Sequence, residues 1–218
     1  MAKHLQRELE KIKKNILSLG ALVEDRVRLA IKSIDSRNAD IAAQIVSMDY
    51  EINEMEVDIE EECLKVLALH QPVAVDLRFL VGVIKINNDL ERIADETVNI
   101  AHRIKIISKD KTCKFIFDYA VMAEKARNML KMSLDAMVQL DTDAAFKVCL
   151  MDDEVDAYVR EAYEELKSSI LQKPEHLGIL INMFLISRHI ERIADHATNI
   201  AEEVIYLTDG EIVRHGKF

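Results

Sequence analysis

Leu90-Glu91-Arg92-Ile93-Ala94-Asp95 returns 100 positions later as Ile190-Glu191-Arg192-Ile193-Ala194-Asp195. Asn99-Ile100-Ala101 returns at the same offset as Asn199-Ile200-Ala201. Further upstream, Asp40 matches Asp143, Met48-Asp49 matches Met151-Asp152 and Asn53 matches Asp156, all at an offset of 103. The difference of three is absorbed around the turns. A repeat of this length means one folding unit used twice. In both copies apolar residues recur at steps of three and four, the period of a helix with one buried face.

Each copy contains three such runs. In the first they cover about Leu5 to Ser36, Asp40 to Leu69 and Val75 to Lys109. In the second they cover about Phe115 to Leu140, Ala144 to Gln172 and His176 to Leu207. His70-Gln71-Pro72 and Lys173-Pro174 read as turns, because proline cannot continue a helix and disfavours helix in the residue before it. Asp141-Thr142-Asp143 caps the fifth run and Asp209-Gly210 closes the sixth. A polar patch, Ser108-Lys109-Asp110-Lys111-Thr112, separates the copies. The sequence therefore predicts an all-α protein of two tandem three-helix bundles, residues 1–110 and 111–218.

Composition agrees. There are 5 Gly and 2 Pro in 218 residues and half of the chain is apolar, which suits long helices, few turns and an ample core. A net charge of −10 argues against a general nucleic-acid binder, whose phosphate contacts need a basic surface. Cys63, Cys113 and Cys149 are too few and too widely spaced for a disulfide framework or a Cys-rich metal site, and read as thiols in a reducing compartment. Met1 to Lys14 lacks a signal-peptide core, and Leu177 to Ile186, interrupted by Asn182, is far short of a membrane span. The expectation is a cytoplasmic protein that meets a membrane only through partners. His4, His70, His102, His176, His189, His196 and His215 show no paired ligand spacing, and Met129, Met132 and Met137 read as core filling. There is no Ser-His-Asp constellation, Gly-rich phosphate loop or nucleophile elbow.

The chemistry concentrates in the repeated motif. Glu91 and Asp95 are four apart and share a helix face, where two carboxylates repel by a few tenths of a kcal/mol, unless a positive charge sits between them. The preceding helix offers a second pair, Asp49 with Asn53 in the first copy and Asp152 with Asp156 in the second. Asp49 and Asp95 are equidistant from Pro72, as are Asn53 and Glu91. The same construction about the Lys173-Pro174 junction sets Asp152 level with Asp195 and Asp156 level with Glu191. Each hairpin thus aligns its polar pairs roughly 30 Å from its turn. Asn88, Asn99 and His102, or Arg188, Asn199 and Glu202, continue the stripe and could complete or orient a ligand set. Facing oxygen donors in a helix bundle suit a hard divalent cation such as Mg, Mn, Ca or Fe, and zinc also accepts carboxylates. A solvated face paired with Arg92 and Arg192 is the competing reading, and pattern alone leaves both open. A di-metal carboxylate enzyme is disfavoured, because its Glu-x-x-His motif would need His where Ala94 and Ala194 stand.

The paired Leu90–Asp95 and Ile190–Asp195 motifs resemble the signatures of the PhoU family. So does Gln71-Pro72-Val73-Ala74-Val75-Asp76-Leu77-Arg78, and the opening Leu9 to Val23 and closing Val213-Arg214-His215-Gly216 also fit. The resemblance spans essentially the whole chain. It implies a tandem three-helix fold that holds multinuclear iron or zinc, or another divalent metal, on Glu/Asp-x-x-x-Asp motifs. Carried over, the ligands are Asp49, Glu91 and Asp95 in one repeat and Asp152, Asp156, Glu191 and Asp195 in the other, with Asn53 departing from the pattern. The second repeat also departs at its turn, Lys173-Pro174-Glu175-His176, so the halves are expected to meet different partners. The resemblance further implies a regulator rather than an enzyme, which damps phosphate uptake and the phosphate-starvation response. Its partners would be the phosphate transporter ATPase and a two-component sensor kinase, and it would be a homodimer.

Overall fold

The computed structural model describes residues 2–110, 114–210 and 213. It contains α1 (Ala2–Ser36), α2 (Ala39–Ser47), α3 (Asp49–His70), α4 (Ala74–Ile107), α5 (Tyr119–Gln139), α6 (Thr142–Gln172), a 3-10 turn (Pro174–His176) and α7 (Leu177–Asp209). Each helix follows its apolar stripe. In α1 the buried side chains Ile16, Leu19, Val23, Val27, Ala30 and Ile34 run down one face. Their counterparts 103 positions on, Tyr119, Met122, Ala126, Leu130, Ser133 and Met137, are the buried face of α5. The repeat therefore reaches into the first helix of each copy.

The helix ends have local causes. Asn38 Oδ1 accepts hydrogen bonds from the Asp40 and Ile41 amides at 2.8 and 3.2 Å. Asp118 Oδ1 accepts from Ala120 N at 3.1 Å, and Asp141 Oδ1 from Ala144 N at 3.0 Å. Such caps satisfy amides that have no partner within the helix. Gly210 ends α7 at φ 76, a left-handed conformation that glycine adopts without strain.

Two runs depart from the sequence expectation. The Asp40–Leu69 run is broken at Met48, whose N–H is shared between the Gln44 and Ile45 carbonyls at 3.2 Å each. Ser47 Oγ also donates to Gln44 O at 2.8 Å, a local bond that competes with the helical ladder. The fourth run starts at Tyr119 instead of Phe115. Phe115 and Phe117 pack their rings edge-on against Tyr119, with centroids 5.2 and 5.4 Å away, and Arg37 lies 3.9 Å over Phe115. Lys111, Thr112, Cys113 and Arg214-His215-Gly216 lie outside the described residues.

Helices α1 to α4 form one bundle and α5 to α7 the other, joined by an extensive α4–α7 contact supported by α5 on α7 and α1 on α5. Buried apolar side chains from all seven helices join in one continuous core. Helices α4 and α7 run antiparallel, as cross-pairs show: Asp89 with His196, Glu96 with His189, and Arg103 with Asn182. Each step of seven down α4 is matched by a step of seven up α7, the repeat of a coiled-coil seam. The α3–α4 turn and the α6–α7 turn therefore lie at opposite ends of the molecule. Among the described residues no helix is long and apolar enough to cross a membrane.

Candidate metal centres and the seam between repeats

In the second repeat Asp152 and Asp156 come from α6, Glu191 and Asp195 from α7. Buried Val155 and Val159 fix the rotation of α6, and buried Ile190, Ile193 and Ala194 fix that of α7, so the acids flank the line where the helices meet. Loss of water pushes the Asp195 carboxyl up to about 6, with Asp152, Glu191 and Asp156 adding to the shift and His196 opposing it. Asp195 retains an open side to solvent, but the surrounding protein still displaces enough water for this. Glu191 is raised by burial and by Asp156 and Asp152, against the pull of Arg188, whose Nη1 donates to Glu191 Oε1 at 2.7 Å. Asp152 is raised by burial and Asp156, while a long bond from Thr198 Oγ1, 3.4 Å, works the other way.

The first repeat holds Asp49 and Asn53 on α3 and Glu91 and Asp95 on α4. Glu91 is raised by burial, then by Asp95, Glu56 and Asp49, with Arg92 opposing. Asp95 is raised by burial, Asp49 and Glu96, again against Arg92. Arg92 lies 3.5 Å from Glu91 and 3.6 Å from Asp95, but it is half-exposed and solvent weakens both pairs. Asn53 Nδ2 donates to Asp49 Oδ2 at 3.2 Å. Where the second repeat sets two α6 carboxylates against each other, the first holds its α3 carboxylate with an amide.

The seven predicted acids thus lie close enough to disturb one another in two clusters, four in the second repeat and three in the first. They do not form ready cages: among the described residues no three His, Cys, Asp or Glu side chains are gathered to clasp one ion. The stripe residues expected to assist need correction. Arg188 binds Glu191 itself, Asn99 Nδ2 donates to Glu96 at 3.4 Å, and Asn199 Nδ2 donates to Asp89 at 3.1 Å. Asn199 thus reaches across to the opposite repeat, while Asn99 bonds a glutamate of its own helix.

At that seam His189 Nδ1 lies 2.6 Å from Glu96 Oε2 and His196 Nδ1 lies 2.8 Å from Asp89 Oδ1. Facing carboxylates place a proton on each Nδ1, which donates. Arg192 Nη1 adds a bond to Glu96 Oε1 at 3.2 Å. Burial alone would push the Glu96 carboxyl up, but His189, Arg192 and Asn99 together hold it below the ordinary range. In the sequence these positions are simply places where the copies differ, Asp89 against His189 and Glu96 against His196. The exchange of acid for histidine at two repeat positions seven apart was the available signal.

The PhoU domain family matches this chain twice, over residues 16–104 and 120–204. The chain belongs to the PhoU family. It is 35% identical over 216 residues to the phosphate-specific transport system accessory protein PhoU homolog of Pseudomonas putida, covering 99% of this chain and 84% of the relative. It is 37% identical over 211 residues to the PhoU homolog of Aquifex aeolicus, covering 97% and 96%. The crystal structure of PhoU from Pseudomonas aeruginosa superposes with a TM-score of 0.91 at 34% identity, over 94% of this chain and 99% of that one. The phosphate transport system regulatory protein PhoU from Streptococcus pneumoniae gives 0.87 at 27% identity, over 96% and 99%. Both PhoU matches contain one full carboxylate cluster, and the α4–α7 seam joins them.

Proposed function

We propose that the protein is a non-enzymatic regulator of phosphate uptake and of the phosphate-starvation response. It acts as a helical adapter on the transporter ATPase and on a sensor kinase, in the cytoplasm and as a homodimer. The observation that carries this reading is the PhoU match on both repeats, with relatives named as accessory proteins of a phosphate-specific transport system.

We further propose that the acid clusters hold divalent metal, iron or zinc being the first candidates. The residues fit such a group in their chemistry. Oxygen donors from two facing helices press their charges together, and the cationic side chains beside them are Arg92 and Arg188. Bound there, a divalent ion would supply the missing positive charge and tie the two helices of each hairpin. Asp152, Asp156, Glu191 and Asp195 would hold it in the second repeat, and Asp49, Glu91 and Asp95 in the first. Thr198 would orient Asp152, and the Asn53 amide would orient Asp49. Side-chain rotation must close each set, since neither is gathered in this conformation. Buried Ala94 and Ala194 occupy the positions where a di-iron oxidase of this type carries its histidines, which speaks for a regulator.

Two measurements test these readings separately. Deletion should misregulate phosphate uptake, and an unchanged uptake and starvation response would sink the regulatory role. Elemental analysis of protein purified without chelator or affinity metal should show stoichiometric metal, lost in an Asp95→Ala, Asp195→Ala variant. If neither protein holds metal even after reconstitution, the clusters are a solvated or partner-facing surface.

A further inference from the structure

Each repeat leaves a groove on the outer side of its first and second long helices, and the two grooves carry the same acids. Asp58, Glu61 and Glu62 line the one beside α1 and α3. Glu161, Glu164 and Glu165, each 103 positions on, line the one beside α5 and α6. In the first groove, of about 660 Å³, the chain supplies its own cations: Lys11 Nζ lies 2.9 Å from Glu62, and Lys65 joins the lining.

The second groove is built differently. Ser168 stands where Lys65 stands in the first repeat. Because α5 begins only at Tyr119, the stretch equivalent to the α1 turn at 12–15 is not helical, and the groove widens to about 790 Å³. Lys167 pairs with Glu164 at 2.8 Å, but Glu161 and Glu165 make no ion pair among the described residues. Arg160 is the basic residue of the described lining. The floor is apolar: Phe117 and Tyr158 meet with ring centroids 6.2 Å apart, and Ile116 and Val121 extend it, Val121 being 44% exposed. The Tyr158 ring already attracts an ammonium group, since Lys125 Nζ lies 6.0 Å from its centroid while paired with Glu154.

We propose that the α5–α6 groove is the docking site for a basic segment of a partner protein. Lysine or arginine heads of that segment sit on Glu161 and Glu165, and one large apolar side chain sits on the Phe117–Tyr158–Val121 floor. Charge complementarity carries the assignment. The sister groove shows which chemistry these acids accept, because there a lysine of the same chain fills the role. In the second repeat the acids are kept and Lys114 stands at the position of Lys11 but outside the groove's lining, Lys65 has become a serine, and an aromatic floor has been added. A bare acidic face needs no such floor. The proposal does not depend on the metal clusters.

The test uses the full chain and a labelled synthetic peptide rich in lysine and arginine around one phenylalanine, followed by fluorescence anisotropy. The basic peptide should bind and weaken with salt, and the same peptide with glutamate in place of its basic residues should not bind. Glu161→Lys with Glu165→Lys should weaken binding by about tenfold or more, and Val121→Arg, a change on an exposed helix position, should do likewise. Asp58→Lys with Glu61→Lys, in the first groove, should leave it within about twofold. Far-ultraviolet circular dichroism checks that each variant is folded. The proposal falls if the parent does not bind. It falls equally if the two double reversals act alike, which would mean unspecific charge. Sedimentation supplies a third arm: dimers that dissociate in the Glu161→Lys, Glu165→Lys variant would assign the groove to a second copy of this chain and overturn the partner reading.

Discussion

A carboxyl held up to about 6, as Asp195 is, costs free energy to ionise in the folded protein. A folded value above the unfolded one means the penalty is complete above the folded value. It fades as the pH falls toward the ordinary value of 3.8. Metal-free Asp195→Asn should therefore be as stable as the parent or more stable at pH 7 to 8, by up to about 1 kcal/mol after allowing for solvent screening. The advantage should shrink as the pH is lowered through 6, and a thermal melt series settles it; a variant that melts lower at pH 8 contradicts the repulsion. Glu96 has the opposite sign. Its carboxyl is held below its ordinary value of 4.5, so its stabilisation is full above that pH and is lost as the pH falls through the lower folded value. Glu96→Gln should cost about 2 kcal/mol at pH 7, by urea denaturation, and less in acid. Cys63 and Cys149, whose thiols burial pushes up to about 12, should resist alkylation in the native state.

At the scale of the helix, what proline and the caps dictate was readable in the sequence, and what side-chain competition dictates was not. Pro72 and Pro174 mark the turns because the restriction is intrinsic to the residue. Met48 gave no warning, because a serine bonding back to a carbonyl looks like any other serine. The late start of α5 was hidden by periodicity: Phe115 falls where Ile12 falls in α1, so it continues the apolar spacing although its ring packs on Tyr119 instead of on a helical turn. The Asp118 cap is then what defines that helix, and Asp118→Ala should cost about 1 kcal/mol in urea denaturation. Gly210→Ala should cost a similar amount, about 1 kcal/mol, because φ is 76 there and the added methyl would run into Arg78 Nη1. A variant as stable as the parent would show that the C-terminus of α7 reorganises freely.

For the molecule as a whole, the repeat and the hairpin registers were legible, since distances from a turn fix which residues lie level. The packing of one repeat on the other was not, because no turn links α4 to α7 and their register is set by polar cross-pairs and by core packing between distant residues. Asp89 and His196 offer a way to measure that register: a double-mutant cycle on Asp89→Ala and His196→Ala should give a coupling of about 1 kcal/mol, and zero coupling would make the pair ornamental. Antiparallel α4 and α7 also decide how the body can be held. His4 meets His70 edge-on, and Gly210 lies against Arg78, so both residues sit beside the α3–α4 turn. The α6–α7 turn is the length of a long helix away, roughly 50 Å. A tether fused before residue 4 or after residue 210 would grip the same pole and leave the far pole free. A chain spliced across that shared pole and reopened at the 3-10 turn, Pro174–His176, should fold to the same shape with its loose ends at the other pole.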